Sequence, residues 1–103
     1  MAQSKLSEER SIELLSGLPD WKNEDDVISK TYIFENFIQS LEFVNQLAET
    51  AEEIQHHPDI DIRYNKVKVA LTTHDAGGLT ESDFNLANVS EELAAAVKAG
   101  PTA

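Results

Sequence analysis

One stretch of the chain, from about Asn36 to Pro58, restricts the fold more than any other feature, because the hydrophobic period changes there. From Phe37 onward apolar residues recur at alternating spacings of four and three, and acidic and amide residues occupy the other side. This pattern predicts an amphipathic helix of about five turns. Its expected inner face consists of Phe37, Leu41, Val44, Ala48 and Ala51. Pro58 ends the helix, because the residue before a proline is disfavoured in the helical region.

The segments on either side of this helix have the two-residue period of β-strands. Trp21 begins an extended stretch that an acidic turn at residues 23–26 interrupts, and a second strand-like stretch covers residues 27–34. After the helix, residues 62–73 return to strand character. Ile28, Tyr32 and Phe34 fall on one face before the helix, with Lys30 among them, and Val67, Val69 and Leu71 share one face after it.

Two further helices complete the pattern. Ser7 is expected to cap a short helix that reaches about Ser16, and residues 80–83 resemble a capping box that opens a final helix. The order helix, strand, strand, helix, strand, helix, with half-polar strands, favours an α+β fold. Its antiparallel sheet of three or four strands would carry the helices on one face. A chain of 103 residues has room for one domain, residues 1–103.

Composition excludes several classes of function. The formal net charge is −11, because 19 acidic residues outnumber 8 Lys and Arg, which argues against binding to nucleic acid or to an anionic membrane surface. No apolar run is long enough to span a membrane. The chain contains no cysteine, which excludes disulfides, thiolate metal ligands and a thiol nucleophile. We therefore expect a cytoplasmic protein.

The three histidines of the chain, His56, His57 and His74, fall within nineteen positions. Histidine is the side chain best suited to proton transfer near neutral pH. Glu52 lies four residues before His56, so a continuous helix would bring the two side chains together on one face. His74 follows a strand that begins after the helix, so the chain can return it to the same neighbourhood.

Each of these features also has a structural explanation. A histidine at a helix end often binds the last carbonyl groups, and a Glu52–His56 contact could be an ordinary surface pair. Asp83 occupies the position of a capping carboxylate. Three histidines and a carboxylate could also hold zinc, but adjacent histidines chelate one ion poorly and the spacing His-x-x-x-His is absent.

The combined pattern is more informative than its parts. The run from Glu52 through His56-His57-Pro58, the segments Tyr64–Val67 and Leu71–His74, and then Gly78-Leu-Thr80 and Asp83 closely resemble the signature of the pterin-4a-carbinolamine dehydratases. Upstream, Trp21 and residues 28–37 also resemble this family, so that the resemblance extends from about residue 6 to 97. One departure is Ile60, where members commonly carry an aromatic residue. This departure affects the prediction of which pterin side chain the protein prefers, and it does not affect the predicted reaction.

The resemblance implies a four-stranded antiparallel sheet with helices on one face, assembled into homodimers or homotetramers. It also implies a lyase that dehydrates 4a-hydroxytetrahydropterin, such as 4a-hydroxytetrahydrobiopterin, to the quinonoid dihydropterin. This step recycles the pterin of aromatic amino acid hydroxylases. The chemistry requires one acid and one base but no metal or organic cofactor.

Residue roles follow from the same resemblance. His56 and His74 are expected to form the acid/base pair, while His57 binds and positions the pterin ring. Glu52 would tune His56, and Thr73 and Asp83 would line or support the substrate pocket. The alternative reading is a protein-interaction module, since some members of the family act as dimerisation cofactors of a homeodomain transcription factor.

Overall fold

The computed structural model describes residues 4–100, which form three α-helices and four β-strands. The elements in chain order are α1 Glu8–Leu15, β1 Lys22–Glu24, β2 Val27–Ile33, α2 Phe37–Ile54, β3 Asp59–Arg63, β4 Lys66–Leu71 and α3 Glu81–Ala99. A 3₁₀ turn, His74–Ala76, lies between β4 and α3. The predicted α+β class is confirmed. Among residues 4–100, no helix combines the length and hydrophobicity that crossing a bilayer demands.

The sheet has the strand order β1-β2-β4-β3, and every neighbouring pair is antiparallel. Asp25 and Asp26 join β1 to β2 with φ angles of 53° and 63°, as a two-residue hairpin of type I′ requires. The single strand expected over residues 62–73 was wrong. That region is a hairpin of β3 and β4, turned at Tyr64 and Asn65. Tyr64 adopts a φ of 54°, which is uncommon for a residue other than glycine. Because tyrosine is not a residue typical of turns, the sequence did not indicate a turn at this position.

Helix caps agree with the sequence pattern. The side chain of Ser7 accepts a hydrogen bond from the Arg10 backbone N–H at 3.1 Å, which fixes the start of α1. Thr80 and Asp83 form the expected capping box at the start of α3. These caps satisfy backbone donors that have no partner within the helix.

The hydrophobic core lies between the inner face of the sheet and the helices. The apolar residues that the sequence placed on shared faces are all buried: Ile28, Tyr32, Phe34, Val67, Val69 and Leu71. From the helices, large apolar side chains such as Phe43, Leu47, Phe84 and Leu86 pack against them. The opposite face of β4 carries exposed lysines. The sheet therefore has one covered and one solvated side, as half-polar strands predicted.

Helix α2 is rotated by about one residue relative to its predicted inner face. Phe37 is 46% exposed, and the buried positions are Ser40, Phe43, Leu47 and Ala51. The predicted face was right at Ala51 and partly at Val44, which packs against the core, and wrong at the other positions. Apolar residues cover two adjoining sides of this helix, and their period alone does not tell which side is buried. Ser40 is tolerated inside because its hydroxyl donates to the backbone carbonyl of Tyr64 at 2.8 Å.

Candidate active site

Three segments distant in sequence meet at one end of the molecule: the exit of α2, the turn after β4 and the N-terminus of α3. Between the first two lies an open cleft of about 250 Å³. All three histidines contribute to its lining, which consists of Gln55, His56, His57, Thr72, Thr73, His74 and Asp75. The expectation that the fold returns His74 to the neighbourhood of the histidine pair is confirmed.

Asp83 is the centre of a buried hydrogen-bond network behind this cleft. Its side chain has no solvent exposure, and its Oδ1 lies 2.6 Å from Nε2 of His56, which is also buried. Its Oδ2 accepts hydrogen bonds from the Thr80 backbone N–H at 2.9 Å and from the Thr73 hydroxyl at 2.8 Å. The carboxylate that caps α3 is therefore the same group that holds a histidine of the cleft.

The direction of these hydrogen bonds follows from the chemistry of the carboxylate. An ionised Asp83 can only accept, so Thr73 donates to it and must in turn accept from the Thr80 hydroxyl, 2.8 Å away. By the same logic Nε2 of His56 carries a hydrogen. In the neutral ring, Nδ1 then carries the lone pair and is the nitrogen that can accept a proton. Asp83 thus selects the tautomer as well as the orientation of His56.

Glu52 contacts His57 rather than His56, so the expected Glu52–His56 contact was wrong. The carboxylate Oε2 of Glu52 and Nε2 of His57 form an ion pair in which both side chains are largely exposed. Spacing of four residues brings side chains together only while the helix continues. Here α2 ends at Ile54, and Gln55 turns the chain with a φ of 55°.

His74 lies exposed in the 3₁₀ turn that follows β4, and no hydrogen bond of its ring occurs within residues 4–100. The turn is closed by paired backbone hydrogen bonds between Thr73 and Gly78, at 3.1 and 3.3 Å. Gly77 has a φ of 75°, a conformation that glycine adopts without steric cost. The backbone of the turn therefore determines the position of the His74 Cα, from which the imidazole projects.

The arrangement places two different imidazoles on one cleft. A buried carboxylate holds His56 in a defined tautomer, whereas the ring of His74 is exposed to solvent and has no hydrogen bond within residues 4–100. Such a pair can deliver a proton to one atom of a bound molecule and remove a proton from another. No group of three or more His, Cys, Asp or Glu side chains within residues 4–100 is arranged to hold a metal ion.

Sequence reasoning missed three side chains that line the cleft: Gln55, Thr72 and Asp75. Each lies next to a residue of the predicted site in the sequence, and this neighbourhood is the feature from which they could have been predicted. Thr72 is fixed by a hydrogen bond from its hydroxyl to the Asp26 carbonyl at 2.7 Å, which joins the cleft to the turn between β1 and β2.

The titratable groups with shifted pKa values lie in a second polar cluster, outside the cleft lining. Oε2 of Glu91 on α3 accepts hydrogen bonds from Lys30 at 2.8 Å, Tyr32 at 2.5 Å and Trp21 at 3.1 Å. Burial alone would raise the pKa of Glu91, but hydrogen bonds from these three donors lower it below its ordinary value. Burial and the hydrogen bond to Glu91 raise the pKa of Tyr32.

Known proteins share both the sequence pattern and the fold. The family model described as pterin 4 alpha carbinolamine dehydratase matches residues 4–93. A protein of Thermomicrobium roseum that carries the provisional name pterin-4-alpha-carbinolamine dehydratase is 48% identical over 91 residues, 88% of this chain and 98% of its own length. A provisionally named counterpart from Acidobacterium capsulatum is 56% identical over 79% of this chain and 88% of its own length.

Among solved structures, the transcriptional coactivator/pterin dehydratase from Brucella melitensis superposes with a TM-score of 0.85. It is 33% identical in sequence, and the match covers 88% of this chain and 99% of that chain. The topology described above is therefore also found in a crystal structure.

Proposed function

Since the chain belongs to the pterin 4 alpha carbinolamine dehydratase family, we propose that it dehydrates a 4a-hydroxytetrahydropterin to the quinonoid dihydropterin. In this role it would recycle the pterin of aromatic amino acid hydroxylases, in the cytoplasm and without a metal or organic cofactor. The observation that carries the proposal is the placement of His74 on the same cleft as the His56–Asp83 pair.

The proposed reaction needs one acid and one base. His74, in its protonated form, gives a proton to the 4a oxygen while the C4a–O bond breaks and its electrons leave with oxygen as water. His56 takes the proton of a pterin ring nitrogen through Nδ1, and the electrons of that N–H bond form the new double bond to C4a. The tautomer that Asp83 selects is the one that this step requires.

The remaining side chains of the cleft have supporting roles in this scheme. His57 and Thr73 line the cleft, where they can contact the pterin ring, and Glu52 holds the exposed ring of His57. Asp83 has no exposed surface, so we assign it to positioning His56 rather than to contact with substrate.

We also propose that the chain forms a homodimer or homotetramer. Helix α2 exposes Phe37, Ile38 and Ile54, at 46%, 63% and 46% of their surface, and these side chains would be covered by assembly. Exposed apolar side chains are also the observation that favours the second candidate function, a protein-interaction module. The Brucella melitensis relative carries both descriptions, coactivator and dehydratase.

The decisive experiment follows the ultraviolet absorbance of a freshly generated 4a-hydroxytetrahydropterin with and without micromolar protein. We expect faster decay, unchanged after dialysis against a strong chelator. Equal decay curves would refute the dehydratase and leave the interaction module. Loss of activity that zinc restores would refute the metal-free scheme. Light scattering gives the assembly state, and a mass near 11.4 kDa would contradict the oligomer.

A further inference from the structure

The segment that precedes α1 packs against the turn that bears His74. The backbone N–H of Leu6 donates to the carbonyl of Leu79 at 2.8 Å. The aliphatic chain of Lys5 lies on Gly78, so closely that a Cβ atom there would be 2.6 Å from Cε and 3.0 Å from Cδ of Lys5. Gly78 is buried beneath this contact. A side chain at position 78 would therefore require the Lys5 side chain to move.

A second set of contacts fixes the other side of the turn. Nζ of Lys5 forms an ion pair with Asp26 at 3.2 Å, and the backbone carbonyl of Asp26 accepts the hydrogen bond from Thr72. Lys5 and Leu6 therefore contact Gly78 and Leu79 at the end of the turn, and Asp26 contacts Thr72 just before it. Backbone hydrogen bonds of Ala76, Gly77 and Gly78 fix the shape of the turn, while the ring of His74 has no partner within residues 4–100.

We propose that residues 5–7, together with Asp26, are a positioning strap that holds the His74 turn in its reactive place. The proposal rests on the proposed function, in which His74 gives a proton to the 4a oxygen. Displacement of an acid by about 1 Å can cost roughly a hundredfold in rate, so contacts that set the position of the whole turn have a direct effect on turnover. The strap meets the cleft lining at Thr72, through the Asp26 carbonyl, whereas the hydrogen bond from Leu6 to Leu79 acts on the backbone that follows the turn.

Leu6 offers a matched pair of variants. Leu6→Pro removes the donor to the Leu79 carbonyl, whereas Leu6→Ala keeps this donor and removes most of the side chain. We expect Leu6→Pro to lower kcat by about tenfold relative to Leu6→Ala, with KM changed by less than about threefold, because an acid acts in the chemical step. Equal kcat values in the two variants would overturn the strap.

Gly78 provides an independent test through the same contact. Gly78→Ala should push the Lys5 side chain away and lower kcat, and Lys5→Ala should lower it as well. The chain with both substitutions should lose less than the two single losses combined, because both remove the same contact. Additive effects of the two substitutions would show that the close approach has no role.

Amide hydrogen exchange separates failure of the strap from failure of the proposed function. The amides of Ala76, Gly77 and Gly78 bond within the turn, so Leu6→Pro should speed their exchange relative to amides of α2, and Leu6→Ala should not. If wild-type protein fails to dehydrate the pterin, this measurement still decides the strap. Unchanged exchange in Leu6→Pro would refute it even if the enzyme is active.

Discussion

Helix α3 carries two carboxylates that each accept hydrogen bonds from three groups, yet their surroundings differ. Asp83, at the first turn, binds His56, Thr73 and Thr80 and lies behind an open cleft. Glu91, two turns later, gathers three donors on a single oxygen and joins α3 to β2 and to Trp21. The two sites have similar hydrogen bonding. They differ because the Asp83 site contains His56, whose second ring nitrogen, Nδ1, is available to bind a ligand in the cleft.

The comparison also separates electrostatic perturbation from function. The shifted pKa values belong to Glu91 and Tyr32, in the cluster without a histidine or a cleft residue. Perturbed groups often mark active sites, but ion-pair networks within the fold perturb pKa values as well. In this protein we therefore infer that the Glu91 cluster stabilises the fold, whereas the Asp83 network positions the chemistry.

Asp83→Asn should give the largest effect. The amide must keep its oxygen toward the Thr80 N–H, so its NH₂ group faces His56 and the ring hydrogen moves from Nε2 to Nδ1. A base with the wrong tautomer should lower turnover by about 10²–10⁴-fold. Glu91→Gln is the matched control, with turnover within about threefold of wild type. Similar turnover in the two variants, compared at equal folded fraction, would erase the distinction between the clusters.

His74→Ala should lower turnover by roughly a hundredfold or more, as expected for loss of a general acid, and its free energy of unfolding should change by less than about 0.5 kcal/mol. The reason is that the exposed ring has no partner within the described residues. His56→Ala should lose both activity and about 1–3 kcal/mol, because buried Asp83 loses a donor. Kinetics and urea unfolding measured together test this, and full activity in His74→Ala would contradict its assigned role.

Glu91→Gln should lower stability at pH 7 by about 1–3 kcal/mol through weaker bonds to Lys30, Tyr32 and Trp21. The pKa of Glu91 in the folded state lies below its ordinary value of 4.5, so its ionised form contributes stability above that value. This contribution is lost as pH falls through the folded-state pKa. Urea unfolding between pH 7 and pH 3 should therefore show the difference from wild type shrinking below about pH 4.5. A constant difference would show that the charge is not responsible.

Glu52→Gln should have the smallest effect. Its pair with His57 is exposed, so we expect less than about 0.5 kcal/mol in stability and at most a few-fold change in turnover. Any change should fade in high salt, because exposed charges are screened. Thermal unfolding and kinetics at low and high ionic strength are the measurements. A large, salt-independent loss of turnover would instead place Glu52 among the residues that the reaction requires.

The sequence by itself determined the three helices, the first two strands and which strand residues share a face, but it joined β3 and β4 into one strand. Alternation placed Val67 and Leu71 on one face, which is buried, and the residues at positions 80 and 83 identified the cap of α3. These properties depend on local backbone geometry, which a period of two or 3.6 residues reports directly. The resemblance to a family added the group of histidines, whose convergence the fold bears out.

Only the tertiary structure decided which carboxylate meets which histidine. Spacing paired Glu52 with His56, but His56 bonds Asp83, which is 27 residues away, and Glu52 bonds His57. The Glu91 cluster joins residues 59 to 70 positions apart and left no trace in the periodicity. The physical reason is that hydrogen bonds require atoms within about 3 Å, and the distance between remote segments depends on how the whole sheet and its helices pack.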